Sequence, residues 1–186
     1  MRGMNLNFRI RRFVVMVAAC LVLLTAASCA RNQTTAPAQS ASPLKPILKN
    51  ITPADLAKLR WIEGSWRGTG DIDKPFYERY KFENDVTLAV ESFDDDKFDK
   101  ATDLSRFVLK DGEFGSTDAE GRRSAASAID ANSVTFEPVT KSRNTFRFER
   151  ESDNSWKAIL TWPATDKAPA GQRIYKMERW PPGEKQ

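Results

Sequence analysis

Glu78 is the side chain whose type and position best suit chemistry. It lies in residues 76–82, FYERYKF, where polar and apolar residues alternate as in a β-strand. Side chains alternate between the two faces of a strand, so Glu78 shares a face with Phe76, Tyr80 and Phe82. A carboxylate on an apolar face costs free energy unless other groups satisfy it. Glu78 therefore either meets the polar end of a ligand or pairs with an inward arginine, and both interpretations stay open.

The absence of histidine excludes several kinds of catalytic and metal site. The chain holds no histidine, which removes Ser-His-Asp and Cys-His catalysis, mixed histidine zinc sites and a histidine-ligated haem. Glu78 could still act with a second carboxylate, but no second inward acid is evident from the sequence. The acidic run 94–96 lacks the spaced ligands and the glycine of a calcium loop, and a solvated charge run is the better interpretation. We predict neither an enzyme nor a metal or cofactor site.

The first 28 residues have the composition of a secretion signal. Four arginines precede an apolar run at 13–27, FVVMVAACLVLLTAA, which is short for a membrane span and typical of a signal-peptide core. The run leads into AASC at 26–29, which resembles the lipobox of bacterial lipoproteins. That resemblance implies cleavage before Cys29 and acylation of its thiol. Cys20 has similar neighbours, but too few apolar residues precede it. The alternative is an ordinary secreted protein with a free cysteine.

Removal of residues 1–28 changes the charge of the chain. The full sequence has 29 Lys+Arg and 25 Asp+Glu, and the four arginines of the first 28 residues face no acid there. The remainder is neutral, so we predict no nucleic-acid partner. Residues 29–50 are rich in Ala, Ser, Thr, Gln and Pro and are predicted to form a flexible tether. Residues 51–182 are long enough for one domain.

The predicted domain begins with a short helix and continues as strands. Thr52, Pro53 and Asp55 form a helix-start signal, a buried stripe would hold Leu56, Leu59 and Ile62, and Gly64 is placed to end the helix. Alternation then predicts strands at 65–71, 76–82, 86–93, 104–110, 113–118, 122–129, 132–137, 144–150, 155–162 and 172–180. Eight to ten consecutive strands without helices between them predict an all-β fold, an up-and-down antiparallel β-barrel with a short N-terminal helix.

The stretch EGSWRGTG at 63–70 opens the first strand. A phosphate loop would continue with Lys-Ser/Thr and a helix, which are absent here. The alternation of side chains along a strand instead places Trp66, Gly68 and Gly70 on one face, so Trp66 would plug one end of the barrel. The Gly-x-Trp element after a short helix resembles the opening of lipocalin-like, or calycin, barrels. It is most similar to bacterial lipoprotein families of unknown function, distantly related to nitrobindin and fatty-acid-binding proteins.

The resemblance implies an arginine packed on that tryptophan. Arg179 shares the predicted inward parity of Tyr175 and Met177 and would lie beside Trp66, unless it is solvated at the rim. The haem ligand of nitrobindin has no counterpart, because histidine is absent. A second inward stripe would include Trp156 and Trp162. The aromatic side chains of both stripes either line a cavity or fill the barrel solidly.

These features favour a lipid-anchored binding protein of the bacterial envelope. Its partners would be the membrane, through acylated Cys29, and a small apolar or amphiphilic ligand near Glu78, Phe76, Tyr80, Phe82, Trp156 and Trp162. In a cell with two membranes we predict the outer membrane, facing the periplasm, because Ala30 is not the aspartate that commonly retains lipoproteins in the inner membrane. The alternative is a solid barrel that binds or inhibits another envelope protein. An enzyme that uses Glu78 ranks last.

Overall fold

The computed structural model describes residues 45–70 and 74–181. A short helix, α1 (Pro53–Ala57), and a 3-10 turn (Arg60–Ile62) precede the strands. The strands are β1 (Gly64–Thr69), β2 (Phe76–Asn84), β3 (Thr87–Phe93), β4 (Asp103–Lys110), β5 (Glu113–Thr117), β6 (Arg123–Ile129), β7 (Ser133–Thr140), β8 (Thr145–Arg150), β9 (Ser155–Trp162) and β10 (Gly171–Arg179). Cys29, with the predicted signal segment, lies outside the described residues.

The ten strands form one closed barrel. Each strand pairs antiparallel with its neighbour in sequence, and β10 closes the barrel on β1, where Trp66 lies opposite Arg179. The predicted up-and-down barrel is therefore confirmed, at the upper end of the predicted strand number. Alternating side chains on every strand give the wall an inner and an outer face, and closure leaves no exposed sheet edge. No helix in the described ranges has the length and apolar composition needed to cross a bilayer.

The helix-start signal is correct, but the helix is shorter than predicted. The carboxylate of Asp55 accepts hydrogen bonds from the backbone N–H of Thr52 at 3.0 Å and from its hydroxyl at 2.8 Å. The α-helix ends at Ala57, and a 3-10 turn follows in place of a longer helix. The buried residues Leu56, Leu59 and Ile62 are spaced by three, the repeat of a 3-10 helix, so the tighter turn keeps them on one face.

Gly64 begins β1 instead of capping a helix. Its φ of +118° is a conformation that residues with a Cβ rarely adopt, and a Cβ there would lie 2.3 Å from Nη1 of Arg179. The positive φ and the close approach of Arg179 both arise where the chain turns from the 3-10 helix into the first strand of the barrel. The predicted role of Gly64 as a helix end is therefore replaced by a role at the start of the first strand.

The last part of the predicted tether is attached to the barrel. The backbone N–H of Leu48 donates to the carbonyl of Ala126 at 2.9 Å, and that of Ile51 donates to Gly112 at 3.0 Å. Lys49 forms an ion pair with Glu113. Leu48 also packs, partly buried, against the core. Its apolar side chain explains why the free part of any tether must end before this residue.

The end of the barrel next to α1, called here the closed end, is filled by aromatic side chains. Trp156 lies at the centre, with its ring centroid 5.9 Å from that of Trp66, 5.4 Å from Tyr80 and 5.1 Å from Phe148. These contacts have the edge-to-face geometry that aromatic pairs prefer. The chain of rings continues across the barrel through Phe136, Phe107 and Phe114. Burial of these rings, with the aliphatic side chains around them, stabilises the core.

A second aromatic cluster covers the outside of β2 and β3. Phe98, in the loop after β3, folds back so that its ring centroid is 4.8 Å from that of Phe93 and 5.9 Å from that of Tyr77. The guanidinium carbon of Arg79 lies 4.9 Å from the centre of the Phe93 ring. The preceding acidic residues 94–96 are exposed. This cluster is separated from the interior by the barrel wall.

Candidate functional site

Trp66 and Arg179 together seal the closed end. Trp66 is fully buried, and its indole N–H donates to the carbonyl of Ile62 at 2.7 Å. The guanidinium carbon of Arg179 lies 4.2 Å from the centre of the Trp66 ring. Arg179 also donates to the carbonyls of Glu63 and Asp153, each at 3.2 Å. It thereby links the turn before β1, the ring of Trp66 and the turn between β8 and β9, which is a structural task.

Glu78 and Tyr80 form a buried hydrogen-bonded pair on the inner face of β2. Glu78 is 6% exposed and Tyr80 is 5% exposed. The Tyr80 hydroxyl donates to Oε2 of Glu78 at 2.7 Å. Burial, followed by the Glu78 carboxylate, raises the pKa of the Tyr80 phenol well above its usual value. The phenol therefore stays protonated and holds the carboxylate in place on the inner wall.

The other predicted ligand contacts divide between the two halves of the barrel. Trp156 belongs to the closed-end core, and its indole N–H has no acceptor among the described residues. Phe82 is also buried at that end, with the guanidinium carbon of Arg60 4.3 Å from its ring centre. Phe76 and Trp162 lie toward the opposite end, called here the open end. A ligand that enters there would reach Phe76 and Trp162 before it reached the core.

Glycines make room for the aromatic side chains of the open end. A Cβ at Gly68 would lie 2.1 Å from the ring of Phe76, and one at Gly171 would lie 2.8 Å from the ring of Trp162. The Phe76 ring packs edge-on against Tyr175, with a centroid distance of 5.6 Å. Gly68 on β1 and Gly171 on β10 thus leave the space that the rings of Phe76 and Trp162 occupy.

Inward side chains are fully buried at the closed end and partly exposed at the open end. Trp66, Trp156 and Met177 have 0% exposure. Their counterparts toward the open end are only half-buried although strand parity directs them inward: Phe76, Phe146, Ala158, Trp162, Arg173 and Tyr175. Inward side chains nearer the open end therefore keep some contact with solvent, whereas those of the closed end keep none.

The strand registers reveal a polar row that the sequence analysis missed. Glu78 lies opposite Ser92, and Ser92 lies opposite Asp103. Directly opposed residues share a face of the sheet, so the three cross the inner wall from β2 to β4. Ser105 shares this face because it is two residues beyond Asp103. The expectation that no second acid points inward is therefore wrong.

Part of this polar row could have been predicted from the sequence. Ser92 has the same parity as Leu88 and Val90 in the predicted third strand, which marks it as inward. Asp103 lies at the first position of β4, one residue before the predicted start of that strand. Its orientation depends on the pairing with Ser92, which the sequence does not specify.

A polar groove of about 610 Å³ lies outside the barrel, beside the turns that follow β6 and β8. Its lining is charged or polar throughout: Asp130, Asn132, Ser133, Arg147, Glu149, Arg150, Glu151, Ser152 and Asp153. Neighbouring groups in the groove already satisfy one another. Arg147 pairs with Glu149 at 2.9 Å, and Arg150 pairs with Asp153. The Asn132 N–H and the Ser133 hydroxyl keep the pKa of Asp130 below its usual value. This groove has none of the apolar lining typical of small-molecule sites.

Within residues 45–70 and 74–181, no group of three or more acidic, histidine or cysteine side chains is arranged to hold a metal ion. The only candidate named from the sequence was the acidic run 94–96.

No family model matches this chain, and no curated protein matches it either. Among solved structures, it is similar to EF1p2_mFAP2b, which was solved bound to DFHBI. The two chains are 10% identical, the match covers 66% of this chain and 96% of the other, and the TM-score is 0.34. A likeness at this level carries no functional argument. The calycin resemblance of the Gly-x-Trp opening is supported only at the level of barrel architecture, and family membership stays a prediction.

Proposed function

We propose that this protein is a small-molecule-binding barrel that takes an apolar or amphiphilic ligand through its open end. The observation that carries the proposal is the contrast in exposure along the inner wall. Side chains such as Tyr175 and Trp162 face inward yet keep contact with solvent, whereas Trp66 and Trp156 do not. Half-exposed aromatic surface inside a closed wall is the kind of surface that a small apolar molecule covers.

The inner wall offers apolar surface for the apolar body of an amphiphile and a polar group for its polar end. Phe76, Tyr175 and Trp162 offer ring faces and edges to an apolar body. Glu78, held by Tyr80, offers an oriented polar group deeper in the barrel. The packed closed-end core lies beneath this wall.

We further propose that the barrel works at a membrane surface of the bacterial envelope, attached through acylated Cys29. The motivation is the arginine-rich start, the apolar run and the AASC stretch of the sequence. Diacylation with further acylation of one residue gives firm attachment, since each buried methylene adds about 0.8 kcal/mol. A container so anchored would exchange its ligand with the adjacent lipid or with the periplasm.

Native mass spectrometry and ligand titration test the container. We expect a small molecule to accompany the chain purified from its own host and to be lost in Trp162→Ala and Glu78→Gln variants. Thr161→Ala is the matched control, because its side chain is exposed on the outer face of the same strand. A ligand-free protein that also fails to bind apolar probes would contradict the container and favour the solid barrel that binds another envelope protein.

A further inference from the structure

Three of the five exposed large apolar side chains in the described residues lie on one side of the barrel. Val86 is 36% exposed, Leu104 is 44% exposed and Val108 is 39% exposed. The other two, Val139 and Ile174, stand apart, one near the open end of β7 and the other on β10. Single exposed apolar side chains are ordinary, whereas a group of them on one side indicates a contact surface.

Val86 and Val108 are neighbours at the closed end of the barrel, where β2 turns into β3. The backbone N–H of Leu109 donates to the carbonyl of Val86 at 2.8 Å. Val108 lies opposite Thr87, the residue after Val86. Leu104 shares the outer face of β4 with Val108, because the two are four residues apart. Val86, Leu104 and Val108, called here the corner patch, thus extend along β4 to the closed end.

Charged side chains beside the corner patch are paired with one another. The pairs are Arg106 with Glu83 at 2.8 Å, Arg60 with Asp85 at 3.4 Å, and Glu113 with both Lys49 and Arg123. The patch therefore presents apolar side chains among largely neutralised charges. Such a surface suits a partner held by apolar contact, because no excess of one charge selects an oppositely charged partner.

The segment that leads to Cys29 leaves the barrel beside the corner patch. The backbone N–H of Ile51 donates at 3.0 Å to the carbonyl of Gly112, in the turn that follows β4. Cys29 precedes Lys45, the first described residue, by 16 positions. A chain of that length spans at most about 50–60 Å even when fully extended. A lipid anchor at Cys29 would therefore keep this side of the barrel within reach of the bilayer.

We propose that the corner patch rests on the bilayer that holds the acyl anchor, and that the open end of the barrel points away from that bilayer. The proposal rests on the proposed attachment through Cys29 and adds the orientation of the barrel. β4 runs from Asp103 at the open end to Lys110 at the closed end. Contact through Val86 and Val108 therefore lifts the open end off the membrane.

The loop after β3 favours this orientation over the reverse one. Its acidic residues 94–96 are exposed and lie at the open end. Carboxylates lose hydration when they are pressed against a bilayer, and an anionic lipid surface repels them. With the closed end on the membrane, these residues stay in water. A ligand then enters and leaves on the periplasmic side and is not drawn directly from the adjacent lipid.

The test measures how close four positions lie to the bilayer, on the full acylated chain in phosphatidylcholine nanodiscs. One cysteine is introduced for each sample, as Val108→Cys, Leu104→Cys, Val139→Cys or Ile174→Cys, and is labelled with a fluorophore. Quenching is recorded with a nitroxide carried on the lipid head group and with iodide in the water. The native side chains are 39–44% exposed at all four positions, so positions 139 and 174 are matched controls on other parts of the barrel.

We expect the lipid nitroxide to quench the fluorophore at position 108 about threefold more strongly than at positions 139 and 174, because interfacial apolar groups lie about 5–10 Å deep at the head-group boundary. Position 104 should be intermediate, since it lies farther from the closed end. Iodide should quench in the reverse order, most strongly at 139 and 174 and least at 108.

The outcomes separate the orientation from the attachment and from the container. If the chain stays with the nanodiscs but the lipid nitroxide quenches all four positions equally, or quenches position 139 most, the corner patch is wrong and the attachment stands. If the chain elutes free of the nanodiscs, the attachment is wrong and the corner patch falls with it. Neither result bears on the container, which ligand binding tests separately.

Discussion

The Tyr80 hydroxyl holds Glu78 where water has little access, and this pairing has a consequence at alkaline pH. The folded state raises the pKa of Tyr80 above that of the unfolded chain. The resulting stability is therefore fully present below about pH 10, the usual tyrosine value, and is lost as pH rises above it. Above that pH the unfolded chain releases the proton while the folded protein keeps it.

Tyr80→Phe tests this coupling. At pH 8 we expect the variant to be about 1–3 kcal/mol less stable, because a hydrogen bond to a charged group is lost. Above pH 10 the wild type should lose about 1.4 kcal/mol per pH unit relative to the variant, so the gap narrows. Denaturant unfolding of both proteins at several pH values measures the difference. A gap that stays constant to pH 11 would contradict the pairing.

Trp66 closes one end of the barrel through several contacts at once. It is fully buried, hydrogen-bonded to Ile62 and covered by Arg179. We expect Trp66→Ala to cost about 3–5 kcal/mol of unfolding free energy. Trp180→Ala is a suitable control, since Trp180 is half-buried and packs outside the barrel against Tyr77 and Arg67. Calorimetry that finds equal effects for the two variants would argue against Trp66 as the plug.

At the scale of elements, β5 has little room for a small change. It is short, Glu113–Thr117, and it approaches β6 closely at Gly115. A Cβ at Gly115 would lie 2.2 Å from the backbone carbonyl oxygen of Ser124. A backbone atom cannot rotate away as a side chain can, so the two strands would have to separate.

We therefore expect Gly115→Ala to destabilise the barrel by about 1–3 kcal/mol. Hydrogen exchange should quicken first at the amides of β5 and β6, because their pairing is disturbed directly. Ser116→Ala, on the same strand without such a contact, serves as control. Uniform protection of β5 and β6 in Gly115→Ala would show that the strands tolerate a methyl group.

The prediction for the whole molecule concerns attachment to the membrane. If Cys29 is acylated, Cys29→Ser should abolish labelling by a radioactive fatty acid and release the protein from the membrane fraction. Cys20→Ser should leave both unchanged. Labelling that persists in Cys29→Ser and disappears in Cys20→Ser would place the lipid on the other cysteine. The folded barrel should be unaffected by either change, because neither cysteine lies in residues 45–181.

The order of the strands was predictable because period-two alternation is a local property. Each strand begins within one residue of its predicted start, each except β7 ends within two residues of its predicted end, and each pairs with its neighbour in sequence; β7 extends three residues further than predicted. Parity alone also directed Trp66, Glu78 and Arg179 inward. The helix was predicted less well, since a stripe spaced by three suits both a frayed α-helix and a 3-10 turn.

The sequence by itself determined the strands, their inward faces and the absence of histidine chemistry. Only the tertiary structure decided which inward side chains stand together. Ser92, Asp103 and Ser105 join Glu78 through the register of β2, β3 and β4. The pairing register of the strands is set by the turns and by closure of the whole barrel. Alternation of side chains within one strand does not specify it. Likewise, Trp156 is core and Trp162 is accessible, although both share one face of β9, because filling of the interior depends on all ten strands at once.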